Sequence, residues 1–271
     1  MFVYALVRHP EPANEVIHAT TMPAFDFRSP RLYVAAPLEQ GGIITLDRAK
    51  AHYLTHVLRL SAGSRVLVFN SRDGEWSASL ATQKRPAALV IDAQTRAQTP
   101  PGDLHYLFAP LKAARLDYMV QKAVEMGVSR LVPVLTRHGQ VTRVNTERMR
   151  ANAIEAAEQC GILTLPTVEA AAPLADLLGR WEPSRRLVFC DENADVTDPV
   201  ATLSAALGSP LAVLVGPEGG FAEDERARLL KLPNVVQISL GPRILRADTA
   251  AVAALTLVQA VIGDWRAPSG A

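Results

Sequence analysis

Apolar and polar positions alternate in two different ways along this chain. Between residues 31 and 97, short apolar runs are separated by turn-forming residues, which is typical of β-strands. These runs are RLYVA (31–35), GIITL (42–46), RVLVF (65–69), WSASLA (76–81) and ALVIDA (88–93). Asp73-Gly74 predicts a hairpin between the third and fourth runs. The pattern as a whole predicts a small β-barrel domain over residues 31–97.

One predicted helix, over residues 47–60, interrupts these strands. Asp47 is a suitable N-cap, and an apolar stripe follows at helical spacing. The stripe consists of Ala51, Leu54, Val57 and Leu58.

A different pattern begins after QTPPGD (98–103), which we interpret as a linker because Pro-Pro disfavours both helix and strand. Strands are predicted over residues 104–111, 130–135, 187–192, 211–216 and 235–240. Helices are predicted over residues 115–126, 146–160 and 248–262, the second of them closed by Gly161. This alternation predicts an α/β domain over residues 104–266 with a mainly parallel sheet and ligand sites at the carboxyl ends of its strands.

The two ends of the chain carry no such pattern. Residues 1–30 show neither the period of a strand nor that of a helix and contain four prolines, so we expect a loosely ordered leader. Residues 267–271 are interpreted as a short tail.

Composition restricts the class of protein. With 271 residues, 49% hydrophobic and 20% charged, the chain is globular and not collagen-like, disordered or built on disulfides. Cys160 and Cys190 are far apart and have no histidines at metal-ligand spacing, which argues for a reducing compartment and against structural zinc. The N-terminal apolar run is too short for a secretory signal and no stretch is long enough to span a bilayer. We therefore expect a cytoplasmic protein with no metal and no membrane partner.

The net charge of +1 hides an asymmetry. Residues 31–150 carry 17 basic and 9 acidic side chains, whereas residues 151–271 carry 9 and 15. A basic half on a near-neutral protein produces a face that attracts polyanions. The alternative is that both halves are ordinary solvated surface.

Candidate chemistry lies at two strand-to-helix junctions, LVGPEGGFAEDE (214–225) and ISLGPRILRADTAAV (238–252). The glycines of the first expose backbone amides, and Glu218 is available to accept hydrogen bonds; an ordinary tight turn is the alternative. In the second, Arg246 lies between an apolar stretch and a helix start, while Asp248 is explained by helix capping and by the helix dipole. Two such Gly-Pro turns at the ends of adjacent strands would form one pocket.

Several common catalytic motifs do not occur in the chain. There is no GxGxxG, GxxxxGK[ST], GxSxG or HExxH, so redox, kinase and hydrolase functions lack their residues.

The segments LVGPEGGF and LGPRILRADTAAVAAL closely resemble C-terminal motifs of the ribosomal RNA small-subunit methyltransferase E family, the 16S rRNA uridine-N3 methyltransferases of the knotted SPOUT class. KAARLDYMVQKAVEMGVSRLVPV (112–134) and EAAEQCG (155–161) are similar to two further motifs, and RLYV with HVLRL to the start of the family's PUA-like domain. The resemblance covers about residues 31–264. It departs at Ile162, where the family usually has Arg, and at Ala247-Asp248, where it has Thr-Glu.

This resemblance implies a PUA-like β-barrel followed by a trefoil-knotted SPOUT domain, a homodimer formed through the knotted region, and S-adenosylmethionine as cofactor. The implied donor-binding residues are Leu214, Gly216, Glu218, Gly219, Leu240, Gly241, Ile244, Leu245, Thr249 and Ala250. The implied activity is methylation of uridine N3 in 16S rRNA, on free RNA or the assembled small subunit. Alternatives are another RNA base or a ribose as the target, and a non-catalytic RNA-binding module.

Uracil N3 must lose its proton while negative charge develops on O2 and O4. Arg246 is the candidate that stabilises this charge, and Glu218 or Asp248 is the candidate proton acceptor. The alternative for Arg246 is a structural or inter-subunit ion pair. RNA contacts are assigned to basic residues of the first half of the chain, each of which has plain surface as its alternative. They are Arg31, Arg59, Arg72, Lys84, Arg85, Lys112, Arg115, Arg137, His138 and Arg143.

Overall fold

The computed structural model describes residues 28–81, 87–195, 198–206, 208 and 210–265. The leader up to residue 27, the tail, Lys84 and Arg85 lie outside these residues. A first sheet has the order β1-β3-β4-β5-β2, with β1 parallel to β3 and the other pairs antiparallel. Its strands are β1 Arg31–Tyr33, β2 Ile43–Thr45, β3 Arg65–Phe69, β4 Glu75–Ala81 and β5 Ala88–Arg96.

The local predictions for this sheet are largely confirmed. β3 and β4 form the hairpin, with Gly74 at φ +79° in its turn. Asp47 Oδ1 caps helix α1 (Arg48–His52) by accepting from the backbone of Lys50 at 2.8 Å. The predicted continuation to residue 60 is wrong, because the chain passes into a π-helical turn over Tyr53–Val57. The wider turn changes the helical phase, and Val57, predicted as apolar stripe, is exposed.

A second sheet is parallel throughout, as predicted, with the order β12-β10-β11-β6-β7-β8 and β9 paired to β7. Its elements are β6 Leu104–Phe108, α2 Ala113–Glu125, β7 Arg130–Leu135, α3 Thr146–Cys160, β8 Thr167–Val168, β9 Ala172–Pro173, α4 Leu174–Gly179, β10 Arg186–Cys190, α5 Pro199–Ser204, β11 Leu211–Val215, α6 Glu223–Leu229, β12 Val235–Ile238 and α7 Ala247–Val261. Gly161 ends α3 in the left-handed conformation, at φ +72°. The pattern does not predict β8, β9 and α4, because two-residue strands and a six-residue helix are too short to show a period.

Each face of this sheet carries its own hydrophobic core. Phe108, Val213 and Val215 point towards α2, α3 and α7. The alternate strand positions, such as Leu107 and Leu214, pack with residues of α4 and α6 on the other face. The sheet is therefore covered on both sides, which leaves the ends of its strands open to a ligand.

A buried ion cluster joins the first sheet to the end of helix α3 in the second domain. Glu75 accepts from Arg31 Nε at 2.8 Å and from Arg96 Nη2 at 3.0 Å. The same guanidinium groups bind carbonyl oxygens at the end of α3, including those of Gly161 and Ile162, at 2.6 and 3.1 Å. Only 8% of the Arg31 side chain is exposed. Its predicted RNA contact is wrong, because the buried guanidinium group already binds Glu75 and carbonyl oxygens at the end of α3.

The same cluster includes Ile162, the position at which the chain departs from the family motif. Its carbonyl accepts from Arg31, and its side chain packs against the core. A cation from the first domain thus lies at this helix end, where the helix dipole favours positive charge.

Candidate functional site

A cavity of about 390 Å³ opens at the carboxyl ends of three strands of the parallel sheet. Its walls come from the residues after β10, β11 and β12 and from the start of α7. The lining residues are Cys190, Asp191, Glu192, Val215, Gly216, Pro217, Glu218, Ser239, Leu240, Gly241, Pro242, Arg243, Ile244, Leu245, Ala247 and Ala250. The volume is within the range of pockets that hold cofactors and small ligands.

Both Gly-Pro turns reach this cavity, as predicted, but not from adjacent strands. β10 lies between β11 and β12, so the residues after it enter the site from the middle. They add Asp191 and Glu192, which sequence reasoning missed although the strand LVFCDE ends on two carboxylates. The predicted adjacency is wrong because strand order is set by long-range pairing and not by local pattern.

Seven of the ten predicted donor-binding residues line the cavity, namely Gly216, Glu218, Leu240, Gly241, Ile244, Leu245 and Ala250. Leu214 does not, because neighbouring strand residues alternate and its side chain points into the opposite core; Val215 takes its place. Gly219 packs instead against the Cβ of His138, and Thr249 is exposed.

Two glycines of the GPEGG loop allow it to pack closely against neighbouring side chains. A Cβ on Gly216 would lie 2.5 Å from the ring of Phe221, so the loop closes only over a hydrogen atom. Gly220 has a φ of +65°, and a Cβ there would lie 2.3 Å from Glu192 Oε1. These close approaches hold the loop and its Glu218 against the cavity.

Arg115 connects the two junctions. Its Nε and Nη2 each donate to the carboxylate of Asp248 at 2.9 Å, and its Nη1 donates to Glu218 Oε1 at 2.5 Å. These hydrogen bonds from Arg115 lower the pKa of Asp248. The predicted phosphate site at Arg115 needs correction, because two carboxylates already occupy its guanidinium group.

The capping explanation of Asp248 is also wrong. The N-cap of α7 is Arg246, and Asp248 is the second residue of the helix. Its carboxylate accepts from Arg115 and from the backbone of Thr249 at 2.9 Å. Asp248 therefore links α7 to α2 and does not close its own helix end.

Arg246 lies at the rim of the cavity, between the lining residues Leu245 and Ala247. Its backbone carbonyl accepts from Ala250 at 2.8 Å, and its side chain is exposed. Within the described ranges this side chain makes no hydrogen bond or ion pair. The alternative of a structural ion pair inside the chain thus has no partner among those residues.

The predicted RNA-contacting residues of the second domain lie on loops at the same sheet edge. Arg137 pairs with Asp224 at 2.7 Å, and His138 Nδ1 lies 3.1 Å from the carbonyl of Gly219. Lys112 and Arg143 are exposed and have no hydrogen-bond or ion-pair partner in the part of the chain that the structure describes. In the first domain, Arg59 is exposed at φ +54° and Arg72 pairs with Asp73 at 3.0 Å.

Three further findings concern the described residues. Among the described residues, no group of three or more His, Cys, Asp or Glu side chains is arranged to hold a metal ion. Burial raises the pKa of the Cys190 thiol at the cavity wall to about 12, which keeps it protonated and uncharged. None of the helices in the described ranges has the length and apolar character that a membrane span requires.

Known proteins match this chain over nearly its whole length. Residues 98–259 match the RNA methyltransferase domain and residues 46–92 the RNA methyltransferase PUA domain. Ribosomal RNA small subunit methyltransferase E of Rickettsia conorii is 32% identical over 84% of this chain and 94% of its own. The Bacillus subtilis protein of the same name is 26% identical over 82% and 91%.

Solved structures agree with these matches. Ribosomal RNA small subunit methyltransferase E from Neisseria gonorrhoeae, bound to S-adenosylmethionine, superposes with a TM-score of 0.74 at 25% identity, over 88% of this chain and 100% of the other. A methyltransferase from Legionella pneumophila, also with bound S-adenosylmethionine, gives 0.74 at 26% identity, over 86% and 98%. The chain therefore belongs to the ribosomal RNA small subunit methyltransferase E family.

Proposed function

We propose that this protein transfers a methyl group from S-adenosylmethionine to N3 of a uridine in 16S rRNA. The observation that carries the proposal is the convergence of both family motifs, LVGPEGGF and LGPRILRADTAAV, on one cavity at the carboxyl edge of the sheet. The family match supports an RNA substrate, and the cytoplasm, where small ribosomal subunits are assembled, is the proposed location.

The residues of the cavity fit the donor. Leu240, Leu245 and Ala250 offer an apolar wall for the adenine, and the exposed backbone of Gly216 and Gly241 offers hydrogen-bonding groups beside it. Carboxylates at the same cavity suit a ligand that carries a sulfonium and an ammonium group. They are Asp191, Glu192 and Glu218.

When bound, the donor supplies an electrophilic methyl group, to which N3 forms a bond as the carbon–sulfur bond breaks with its electron pair going to sulfur. The protein has two tasks, to remove the N3 proton and to stabilise charge on O2 and O4. Arg246 is proposed for the second task because it is an exposed cation at the rim with no partner among described residues. Glu218 and Asp248 are the candidates for the first.

The proposed domain boundaries, trefoil knot and homodimer are those that the family resemblance implies. We assign residues 31–97 to a PUA-like domain, 98–103 to a linker and 104–266 to a trefoil-knotted methyltransferase domain. Ile244, in the loop before α7, is 95% exposed in the single chain. A large apolar side chain at this position is favourable when a second copy covers it, which supports a homodimer through this region.

The RNA surface is proposed to lie beside the cavity. Lys112 and Arg143 are its strongest members because both are exposed and make no ion pair within the described residues. Arg137 and His138 lie on the same loop region, and Arg59 and Arg72 would extend the surface to the first domain. Such contacts hold RNA by its phosphates and do not read its sequence.

Replacing both Lys112 and Arg143 by Glu is expected to weaken binding of a small-subunit RNA fragment and to make it less dependent on salt. Each lost phosphate contact lowers the slope of log affinity against log salt concentration by about one. Fluorescence anisotropy over a salt series measures this slope. The control is Arg180→Glu, an exposed cation after α4 near the opposite sheet edge, which should leave the slope unchanged. Equal effects of both variants would place the RNA surface elsewhere.

The proposed activity is tested on small ribosomal subunits from a bacterium that lacks the family enzyme. Isothermal titration with S-adenosylmethionine is expected to show binding, and mass spectrometry of the treated rRNA a single uridine methylated at N3. A product on another base or on a ribose would favour the alternative RNA targets. Absence of donor binding would favour a non-catalytic RNA-binding module.

A further inference from the structure

The carboxylates of Asp248 and Glu218 share one cation, the guanidinium group of Arg115, at the mouth of the cavity. Asp248 receives two hydrogen bonds from the Arg115 guanidinium, through both of its oxygens, whereas Glu218 receives one, through Oε1. Glu218 Oε2 has no hydrogen-bond partner within the described ranges. A bidentate pair is both stronger and more restricted in geometry than a single contact, so the two acids are held very differently.

The side chains of Asp248 and Glu218 also differ in exposure and in whether they line the cavity. The Asp248 side chain is 18% exposed and does not line the cavity, while the Glu218 side chain is 44% exposed and lines it. Asp248 is also near the start of α7, where the helix dipole favours negative charge. A carboxylate held in this way releases protons readily and is a poor acceptor.

The geometry points to Arg115 as a positioning residue that assigns the two roles: it binds Asp248 as a permanent anion and presents Glu218 Oε2 to the cavity as the acceptor of the uracil N3 proton. This inference rests on the proposed function. The proton moves from N3 to Oε2, and from there to water, because nearly half of the Glu218 side chain is exposed.

Other ionisable groups face the same space and must be distinguished from Glu218. Asp191 is held by Arg226 at 2.8 Å and by Gln237 at 2.7 Å. Glu192 has no hydrogen bond to any described residue and is the main alternative to Glu218 as the proton acceptor. The others are Cys190 and Tyr106 below the site, and the cations Arg243, Arg246 and Lys112 around it.

The test compares turnover and donor affinity in Glu218→Gln, Asp248→Asn and Glu192→Gln. Glu218→Gln is expected to lower kcat at saturating donor about 100-fold, the usual effect of losing a general base, and calorimetry with the donor separates this loss from weaker donor binding. The other two are expected to lower kcat less than about tenfold. A larger loss in Asp248→Asn or Glu192→Gln than in Glu218→Gln would overturn the assignment.

The role of Arg115 is tested by comparing kcat at saturating donor in Arg115→Met, in Arg115→Lys and in the double variant of Arg115→Met with Glu218→Gln. Arg115→Met removes the fork that presents Glu218, so kcat should fall, and Arg115→Lys, which keeps the charge but not the fork, should retain part of the activity. If Arg115 acts through Glu218, adding Arg115→Met to Glu218→Gln should lower kcat little further. The matched control is Arg148→Met, which breaks the surface pair with Asp117 and should keep the wild-type kcat. Losses that multiply in the double variant would mean a structural role only.

A readout that does not need turnover is a ¹³C NMR titration of the carboxyl groups in the free protein, with Asp248→Asn to identify the signal of Asp248. Asp248 should titrate below the usual range of an Asp carboxyl in wild type and move back towards that range in Arg115→Met, because hydrogen bonds from Arg115 lower its pKa. Failure of the proposed function looks different, because wild-type protein would then lack donor binding or N3 methylation while Asp248 still shows this shift. An Asp248 carboxyl that titrates in its usual range in wild type would overturn the inference itself.

Discussion

Replacing Arg246 by Ala is expected to lower kcat for rRNA methylation by about 10²- to 10³-fold while the Kd for S-adenosylmethionine changes less than about threefold. Removing one group that stabilises a developing oxyanion has an effect of this size. Arg246 is the N-cap of α7, is exposed at the rim of the cavity, and has no partner among the described residues that it would leave unpaired. Single-turnover kinetics with saturating donor, together with calorimetry, measure the two quantities separately.

Two matched variants sharpen this prediction. Arg246→Lys keeps the positive charge on a point donor and should retain part of the activity. Arg228→Ala removes an exposed cation from α6, outside the cavity, and should keep wild-type kcat. A parallel fall of kcat and donor affinity in Arg246→Ala would instead indicate that the residue holds the loop before α7 in place.

Much of the fold is predictable because it depends on the local pattern of apolar and polar residues. The strands β6, β7, β10 and β11 are short apolar runs, and α3 with its Gly161 carries complete start and stop signals. The position of β10 between β11 and β12 is not predictable in this way. Strand order depends on which crossover each helix makes, and no short segment encodes it. Because the prediction placed the two Gly-Pro turns on adjacent strands, it did not include Asp191 and Glu192, which follow the strand between them and line the cavity.

The functional site also combines features that local sequence predicts with features that depend on long-range contacts. Its loops are recognisable because glycine, proline and a charged residue occur together, and most of the predicted donor-binding residues do line the cavity. The partners of charged residues are not recognisable, because Arg115 meets Asp248 across 133 positions of sequence. A count of basic residues cannot separate Arg31, which is buried against Glu75, from Lys112, which is exposed. Exposure and pairing decide which cations are available to RNA.

The buried ion cluster between the first sheet and α3 is expected to dominate the response of stability to mutation. Glu75→Ala should lower the free energy of unfolding by about 3–5 kcal/mol, the usual cost of removing one partner from a buried ion pair. Arg31 and Arg96, with side chains 8% and 15% exposed, would then lose the carboxylate that they share and keep their bonds to carbonyl oxygens at the end of α3. Urea unfolding followed by circular dichroism measures the loss.

The control and the pH dependence distinguish this cluster from ordinary surface charge. Glu169→Ala breaks the exposed pair with Arg130, 3.5 Å apart, and should cost less than about 1 kcal/mol. Burial opposes ionisation of Glu75, but hydrogen bonds from Arg96 and Arg31 outweigh it and lower its pKa. A carboxylate with a lowered pKa in the folded state contributes stability above its unfolded value of about 4.3 and loses it as the pH falls below that value. The gap between wild type and Glu75→Ala should therefore be constant near neutral pH and shrink in acid, whereas a gap that grows in acid would contradict the role given to the ion cluster.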